Sequence, residues 1–239
     1  MKTEERKMTI KDIKKKSKAD LKNNYGISIL TMILLSLVAF GSAAVGFIVG
    51  AVIVAGAVTC CYAAFYVDIA KHQIKSVDST YRGFRQFARA LKVMLIYAAV
   101  ILGALIACAL LSWLISLPFG SDGADIMIIV APLLAVLFLI AIFFVSIKVK
   151  FVFYIMNDEI DLSAADCIKK SWRITKGRFG KILLFELSFI GWRLLTLLTL
   201  GAVCLYVIPY YNTSVANFYL SLTQEEETVG ELQPRAQND

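Results

Sequence analysis

Long uncharged runs alternate with short segments that hold nearly all of the charged residues of this chain. The uncharged runs cover residues 23–67, 93–121, 126–147 and 194–224. A run of about 18 or more apolar residues is long enough to cross a hydrocarbon core of roughly 30 Å as a helix. The pattern therefore predicts an all-α fold, as a polytopic membrane protein.

Two apolar stretches are too long for a single crossing. As one straight helix, residues 23–67 would measure roughly 67 Å, about twice the hydrocarbon core. We expect this run to turn at residues 40–46, and the stretch 182–222 to turn at residues 199–201. Six transmembrane helices are therefore predicted, at about residues 26–44, 48–68, 93–118, 126–147, 182–199 and 202–222.

The positions of Lys and Arg predict the orientation of these helices. Residues 1–24 contain nine of them, residues 69–92 six and residues 148–181 eight, whereas the turns near residues 45, 118–125 and 200 contain none. Lys and Arg collect in cytoplasmic loops. Both termini are therefore expected in the cytoplasm, and the protein in the plasma membrane.

The flanking segments differ from the transmembrane domain, which is predicted to cover residues 25–222. Residues 1–24 form a basic amphipathic cytoplasmic segment, with apolar positions such as Ile13 and Leu21 on one helical face. Its charges either bind the anionic membrane surface or simply set the orientation. Residues 223–239 are acidic and end in polar residues, so we expect a disordered tail.

A second cytoplasmic amphipathic helix is predicted after helix 4. Ser163 and Asp166 have the spacing of a helix cap, and Gly177 is a suitable end. The predicted apolar face consists of Ala165, Ile168, Trp172 and Thr175. The predicted interfacial basic face consists of Lys169, Lys170, Arg173 and Lys176. Its expected partner is anionic lipid of the inner leaflet.

The composition removes several other classes of protein. Hydrophobic residues make up 59% of the chain and charged residues 18%, against roughly 45–50% and 25% in soluble domains. This excludes a soluble enzyme, a disordered chain and a secreted disulfide scaffold. The net charge of +7 comes from basic residues beside the predicted spans, so membrane topology explains it and no nucleic acid partner is expected.

The sequence offers little material for chemistry. Four of the five cysteines lie in apolar runs, and His72 is the only histidine. We find no zinc spacing, phosphate-binding loop, nucleophile elbow or dinucleotide fingerprint. We therefore predict no catalytic residue, no metal site and no cofactor, and we expect that the protein is not an enzyme.

The charges inside predicted helix 5 are more informative. Glu186 and Arg193 lie seven residues apart and so share one face. Because helices 5 and 6 are expected to be antiparallel, Glu186 should lie opposite Asn217 and Arg193 opposite Tyr210, with Ser214 between them. The predicted polar network comprises Glu186, Arg193, Tyr210, Ser214 and Asn217. It is either a structural clamp or a site for transport or lipid headgroups.

Several motifs in the C-terminal half resemble those of a known family. They are Tyr154 to Asp158, Ser163-Ala164-Ala165, Lys170-Ser171, Lys176-Gly177, Leu187 to Trp192, Thr199 to Gly201, Pro209-Tyr210 and Phe218-Tyr219. The chain resembles the bacterial domain-of-unknown-function 975 family over most of its length. It departs at Val145-Ser146-Ile147, where the family usually has Pro-Gly, and at Glu159, where proline is common. Whether helix 4 continues past Lys148 is therefore open.

The resemblance implies a multi-helix integral membrane protein of bacteria and no particular activity. Two classes of function remain. The first is a non-enzymatic membrane component that interacts with lipid or with other membrane proteins, as a scaffold or accessory subunit. The alternative is a small transporter or exporter with a polar site between helices 5 and 6.

Overall fold

The computed structural model describes residues 8–73 and 78–236, with side chains at 8–42, 54–73, 82–119 and 125–226. Over these residues the chain is helical and has no strand, so the all-α class is confirmed. The helices are α1 (Ile10–Lys22), α2 (Tyr25–Ala70), α3 (Asp78–Arg85), α4 (Phe87–Ser116), α5 (Gly123–Val149), α6 (Val152–Asp158), α7 (Ala164–Thr175), α8 (Phe179–Leu187), α9 (Ile190–Leu198) and α10 (Cys204–Ala236). A 3₁₀ turn at Leu117–Asp122 joins α4 to α5.

Three segments of the described chain are long and apolar enough to cross a membrane. They are Tyr25–Ser42, Phe87–Phe119 and Asp125–Asp158. The segment Val54–Ala70 is also an apolar helix but is shorter. Three of the six predicted transmembrane segments thus lie in long apolar helices. Of the other three, residues 48–68 overlap the shorter helix, residues 182–199 lie in two short helices, and residues 202–222 lie mostly in α10, which is long but is not among the segments apolar enough to cross.

The first long apolar run forms one helix that folds back on itself. The helix is continuous over Tyr25–Ala70, so the run folds back as expected but without the interruption of the helix expected at residues 40–46. The hydroxyl of Tyr62 donates to the carbonyl oxygen of Met32 at 3.4 Å, two positions that a straight helix would separate by about 45 Å. Residues of both halves also share one buried cluster, which contains Leu35, Val58 and Cys61. The axis therefore bends sharply between them.

Predicted helix 5 is not continuous. Residues 182–199 lie in two short helices, α8 and α9, separated at Ser188 and Phe189. The side-chain Nζ of Lys14 donates to the carbonyl oxygen of Ser188 at 2.7 Å, and in a continuous helix that oxygen would accept from the amide of Trp192. Lys14 of α1 thus occupies the carbonyl oxygen that a continuous helix would have used for its own backbone hydrogen bond.

Predicted helix 4 corresponds to α5, and at its end a side chain from another helix again takes a backbone acceptor. Helix α5 stops at Val149 and α6 begins at Val152, which answers the question left open at Lys148. The hydroxyl of Ser171, on α7, donates to the carbonyl oxygen of Lys148 at 2.8 Å. Because α7 supplies this donor, the chain can change direction after Val149 without leaving that carbonyl oxygen unpaired.

The buried core lies at one end of the molecule. It collects side chains from α1, the second half of α2, α6, α8 and α10, and Phe151, Phe185, Phe218 and Tyr219 are among its largest fully buried members. Helix α1 contributes its predicted apolar face, with Ile13 and Leu21 fully buried. This face therefore packs against protein and does not lie open to lipid.

The last helix extends beyond the predicted sixth transmembrane segment. Helix α10 continues through Ala236, past residue 222, where that segment was expected to end. Glu225 pairs with Lys181 at 2.9 Å, and Glu226 pairs with Arg173 at 2.6 Å. The acidic residues neutralise basic residues of α7 and α8, a compensation that local composition does not reveal.

Candidate functional site

A charged cluster lies beside two breaks between helices, one between α5 and α6 and the other between α8 and α9. Lys150 occupies the two-residue break between α5 and α6, and Glu186 lies in the last turn of α8. Arg193 follows on α9, and Tyr211 faces them from α10. Four separate segments therefore bring one side chain each to the same place.

Glu186 is the centre of this cluster, which we call the Glu186 cluster (Lys150, Glu186, Arg193 and Tyr211). Its Oε2 accepts from Nη2 of Arg193 at 2.6 Å, and its Oε1 accepts from the hydroxyl of Tyr211 at 2.9 Å. Lys150 forms an ion pair with Oε1 and also donates to the hydroxyl oxygen of Tyr211 at 2.9 Å. The carboxylate thus has a partner at each oxygen, as a buried charge requires.

The cluster has more positive than negative charge. The side chains of Lys150 and Glu186 are each 14% exposed, whereas that of Arg193 is 54% exposed. The guanidinium of Arg193 also lies over the ring of Tyr211, 5.1 Å from its centroid. One carboxylate faces two cations, so the site retains a positive charge on the side that Arg193 exposes.

A cavity of about 210 Å³ adjoins this exposed side. Its wall is mostly apolar and is formed by α9 and α10, with residues such as Phe189, Thr196 and Val207 beside Arg193 and Tyr211. An apolar cavity with one cation at its edge suits an amphiphilic anion.

The remaining members of the predicted network lie elsewhere. Tyr210 is buried in an aromatic layer, 5.3 Å from the ring of Phe189. Ser214 donates to its own helix at the carbonyl oxygen of Tyr210. Asn217 donates to Oδ2 of Asp20 at 2.8 Å and to Oγ of Ser17 at 3.1 Å. The predicted pairing of Glu186 with Asn217 is therefore wrong, because Asn217 joins α10 to α1.

The error has a physical origin. Glu186 meets Tyr211 where Asn217 was expected, a shift of about one and a half helical turns. The break after α8 and the non-helical residues before Cys204 move the two helices along each other. In the sequence, Lys150 is one of the basic residues that follow an uncharged run, and no neighbouring residue indicates its partner in another segment.

Helix α7 has the predicted cap but a rotated face. The hydroxyl of Ser163 accepts from the amide of Asp166 at 3.2 Å and donates to its carboxylate at 2.6 Å. This hydrogen bond lowers the pKa of Asp166 below its usual value, with Lys169 contributing further. The buried face consists of Ala164, Cys167, Ser171, Ile174 and Thr175. Of the predicted apolar face, Trp172 is instead 48% exposed.

Three of the four residues of the predicted basic face of α7 form ion pairs within the protein. Lys169 is paired with Asp166, Lys170 with Glu159 and Arg173 with Glu226. Lys176 and Trp172 are exposed beside them. An exposed tryptophan next to basic side chains is typical of a membrane interface.

The comparison with protein families identifies the chain. The model of the family described as "protein of unknown function (DUF975)" matches residues 8–226. The chain belongs to the DUF975 family. No curated protein and no solved structure matches it.

The motifs that carried the DUF975 resemblance contact each other in the structure. The rings of Tyr154 on α6 and Tyr219 on α10 lie 5.5 Å apart, and the ring of Phe189 lies 5.3 Å from that of Tyr210. The match therefore covers the packed end of this DUF975 protein, including all four residues of the Glu186 cluster.

Proposed function

We propose that this DUF975 protein is a non-enzymatic integral membrane component of the bacterial plasma membrane that interacts with lipid or with other membrane proteins. We expect the chain to cross the membrane six times. The crossings are the two halves of α2, α4, α5, the α8–α9 pair and α10. Both termini and the packed basic end lie in the cytoplasm. The absence of a catalytic motif from the sequence is the reason for proposing a role without catalysis.

The segregation of apolar exposure carries this proposal. Large hydrophobic side chains are exposed along α4 and α5 and around the end of α9. Ile129 on α5 is 72% exposed, Leu198 at the end of α9 is 80% and Leu200 is 96%. Soluble monomers rarely expose contiguous apolar surface of more than a few hundred Å². A lipid environment would cover this surface without cost.

The distribution of charge supports the same orientation. Helices α4 and α5 have basic residues at one shared end, Lys92 at the start of α4 and Lys148 near the end of α5. That end also adjoins α7, with Trp172 and Lys176 exposed. Basic residues and an interfacial tryptophan favour the cytoplasmic surface, where the lipids are anionic.

Cysteine labelling in intact cells tests the orientation. Cys60, Cys61 and Cys167 are buried, so only Cys108 and Cys204 need replacement by alanine. A membrane-impermeant maleimide should label Phe119→Cys from outside and should label Lys176→Cys only after the cells are opened. The reverse pattern would reject the proposed topology.

The contact of α7 with lipid can be measured separately. A nitroxide attached at Trp172→Cys, in vesicles of phosphatidylglycerol, should be reached both by oxygen and, less well, by a water-soluble nickel chelate. The same label at Lys15→Cys, on the exposed side of α1, serves as the solvent reference. Equal accessibility at the two positions would remove α7 from the interface.

A second candidate function, transport, is favoured by the two helix breaks beside the Glu186 cluster. Discontinuous helices at a charged site are the usual pointer to a transporter. Because the cluster is positive overall, the substrate would be a small anion. Proteoliposomes should then take up labelled chloride, acetate or phosphate, and Arg193→Gln should abolish the uptake. No uptake of any of the three by the unaltered protein would reject this alternative.

A further inference from the structure

A second cavity, lined by none of the residues of the Glu186 cluster, lies at the packed end of the molecule. It has a volume of about 370 Å³ and is formed by the end of α2, by α3, by the start of α4 and by α6. Cationic residues dominate its lining: Lys71, Arg82, Arg85 and Arg89, with Asp68 and Asp158 as the carboxylates. We call it the basic cavity.

The carboxylates of the basic cavity are already paired. Asp158 accepts from Lys71 at 2.8 Å, and Asp68 forms an ion pair with Arg82. Two cations are neutralised in this way. The uncompensated positive charge therefore belongs to Arg85 and Arg89.

Arg89 is held in place without a carboxylate. Its guanidinium donates to the carbonyl oxygens of Ile160, at 2.8 Å, and of Leu162, and to the side-chain oxygen of Gln86 at 2.6 Å. Neutral acceptors orient the group but leave its charge in place. Arg89 is thus a preorganised cation at the wall of the cavity.

Among the lining residues that the structure describes, Arg85 is the cation without a partner. It lies on the last turn of α3 and is exposed. Among the side chains that the structure describes, none forms a hydrogen bond or an ion pair with it. An arginine without a partner, beside a second one held by neutral groups, can receive an anion at no cost of breaking an existing pair.

From these contacts we infer that the basic cavity binds a phosphate ester. Arginine matches phosphate oxygens in pairs of hydrogen bonds, and the side-chain amide of Gln73 adds a neutral donor to the lining. A volume of about 370 Å³ lies within the range of small-ligand sites and exceeds the size of a bare phosphate. The ligand is either the headgroup of an anionic phospholipid or a soluble phosphate ester.

The test is binding to the purified full-length protein in neutral detergent. The probes are glycerol-1-phosphate and phosphatidylglycerol, with sodium chloride at equal ionic strength and phosphatidylcholine as references. At least one phosphate probe should raise the midpoint of thermal unfolding above its reference. Protection by phosphatidylglycerol alone would assign a lipid headgroup, and protection by glycerol-1-phosphate would assign a soluble ester.

Substitutions locate the binding. Arg85→Gln should weaken the affinity of the active probe about tenfold, the loss expected for one charge-assisted contact, and Arg85→Lys should retain part of it. Lys15→Gln, an equal change of charge on exposed α1, should bind as the unaltered protein does. Failure of both probes to protect, or an equal loss in Lys15→Gln and Arg85→Gln, would overturn the inference.

Discussion

The Nζ of Lys14 donates to the carbonyl oxygen of Ser188 at 2.7 Å, across 174 positions of sequence. The same ammonium lies over the ring of Phe189, 4.1 Å from its centroid. Burial, together with repulsion from Lys18, lowers the pKa of Lys14. Helix α1 therefore stabilises the junction between α8 and α9, and is part of the packed end of the molecule.

Replacing Lys14 by methionine should destabilise the protein. A hydrogen bond to a partly buried charged group contributes about 1–2 kcal/mol, and its loss leaves the carbonyl oxygen of Ser188 without this donor. Lys15→Met, one residue along on the exposed side of α1, should have little effect. The free energy of unfolding in detergent, measured with urea or sodium dodecyl sulfate, compares the two variants. Equal stabilities would contradict the assigned role.

Removing Glu186 should be among the most damaging single changes. Glu186→Gln leaves the buried ammonium of Lys150 without a countercharge, and breaking a buried pair in this way costs about 3–5 kcal/mol. The double variant Glu186→Gln, Lys150→Met removes both charges and should recover much of the loss. Arg193→Gln should cost less, because Arg193 is half exposed. A double variant no more stable than Glu186→Gln alone would show that the two charges are not coupled.

Asn217 and Ser214 offer a matched pair on one helix. Asn217→Ala removes the donor to the buried Asp20 and should cost about 1–3 kcal/mol. Ser214→Ala removes only a bond to the serine's own helix, which contributes little. Thermal unfolding followed by circular dichroism measures both. A larger effect at Ser214 would mean that α1 does not depend on Asn217.

Gly83 should be intolerant of a larger side chain. A Cβ at this position would collide with the backbone of Cys61, so Gly83→Ala must separate α3 from α2. Overpacking of this kind costs about 1–3 kcal/mol. Gly103→Ala is the control, since nothing lies within 4 Å of a Cβ there and alanine favours helix. If both variants unfold at the same temperature, the close approach of α3 to α2 is not present in solution.

The cap of α7 should make the stability of the folded protein depend on pH. The hydroxyl of Ser163 is the chief cause of the lowered pKa of Asp166 in the folded protein. The contribution of this carboxylate to stability is therefore complete above its ordinary pKa of 3.8. That contribution is lost as the pH falls through the lower folded value. Nuclear magnetic resonance titration should show the pKa of Asp166 rising toward 3.8 in Ser163→Ala. An unchanged pKa in this variant would contradict the assigned cause.

Much of the helical architecture follows from local patterns. Uncharged runs predicted α4 and α5 to within a few residues at most ends, and the Ser163–Asp166 spacing predicted the start of α7. Helix propensity, hydropathy and capping act over a few positions, so they can be read along the chain. The resemblance to DUF975 was likewise carried by short motifs and is confirmed.

The same reasoning could predict only half of the candidate site. The seven-residue spacing predicted that Glu186 and Arg193 meet, and they form an ion pair, although the break at Ser188 and Phe189 places them on two helices. Lys150 and Tyr211 come from other segments, and the basic cavity depends on pairings among α2, α3, α4 and α6. No short spacing connects these residues, so no pattern in the sequence could assemble them.

The sequence by itself determined that the chain is helical, where its apolar stretches lie and which ends are basic. The tertiary structure decided where helices break and which charges meet. At both Lys148 and Ser188 a donor from a distant helix takes a backbone acceptor that a continuous helix would have used. Such a break depends on a partner that arrives only through folding, whereas apolar character and helix propensity belong to each residue and its neighbours.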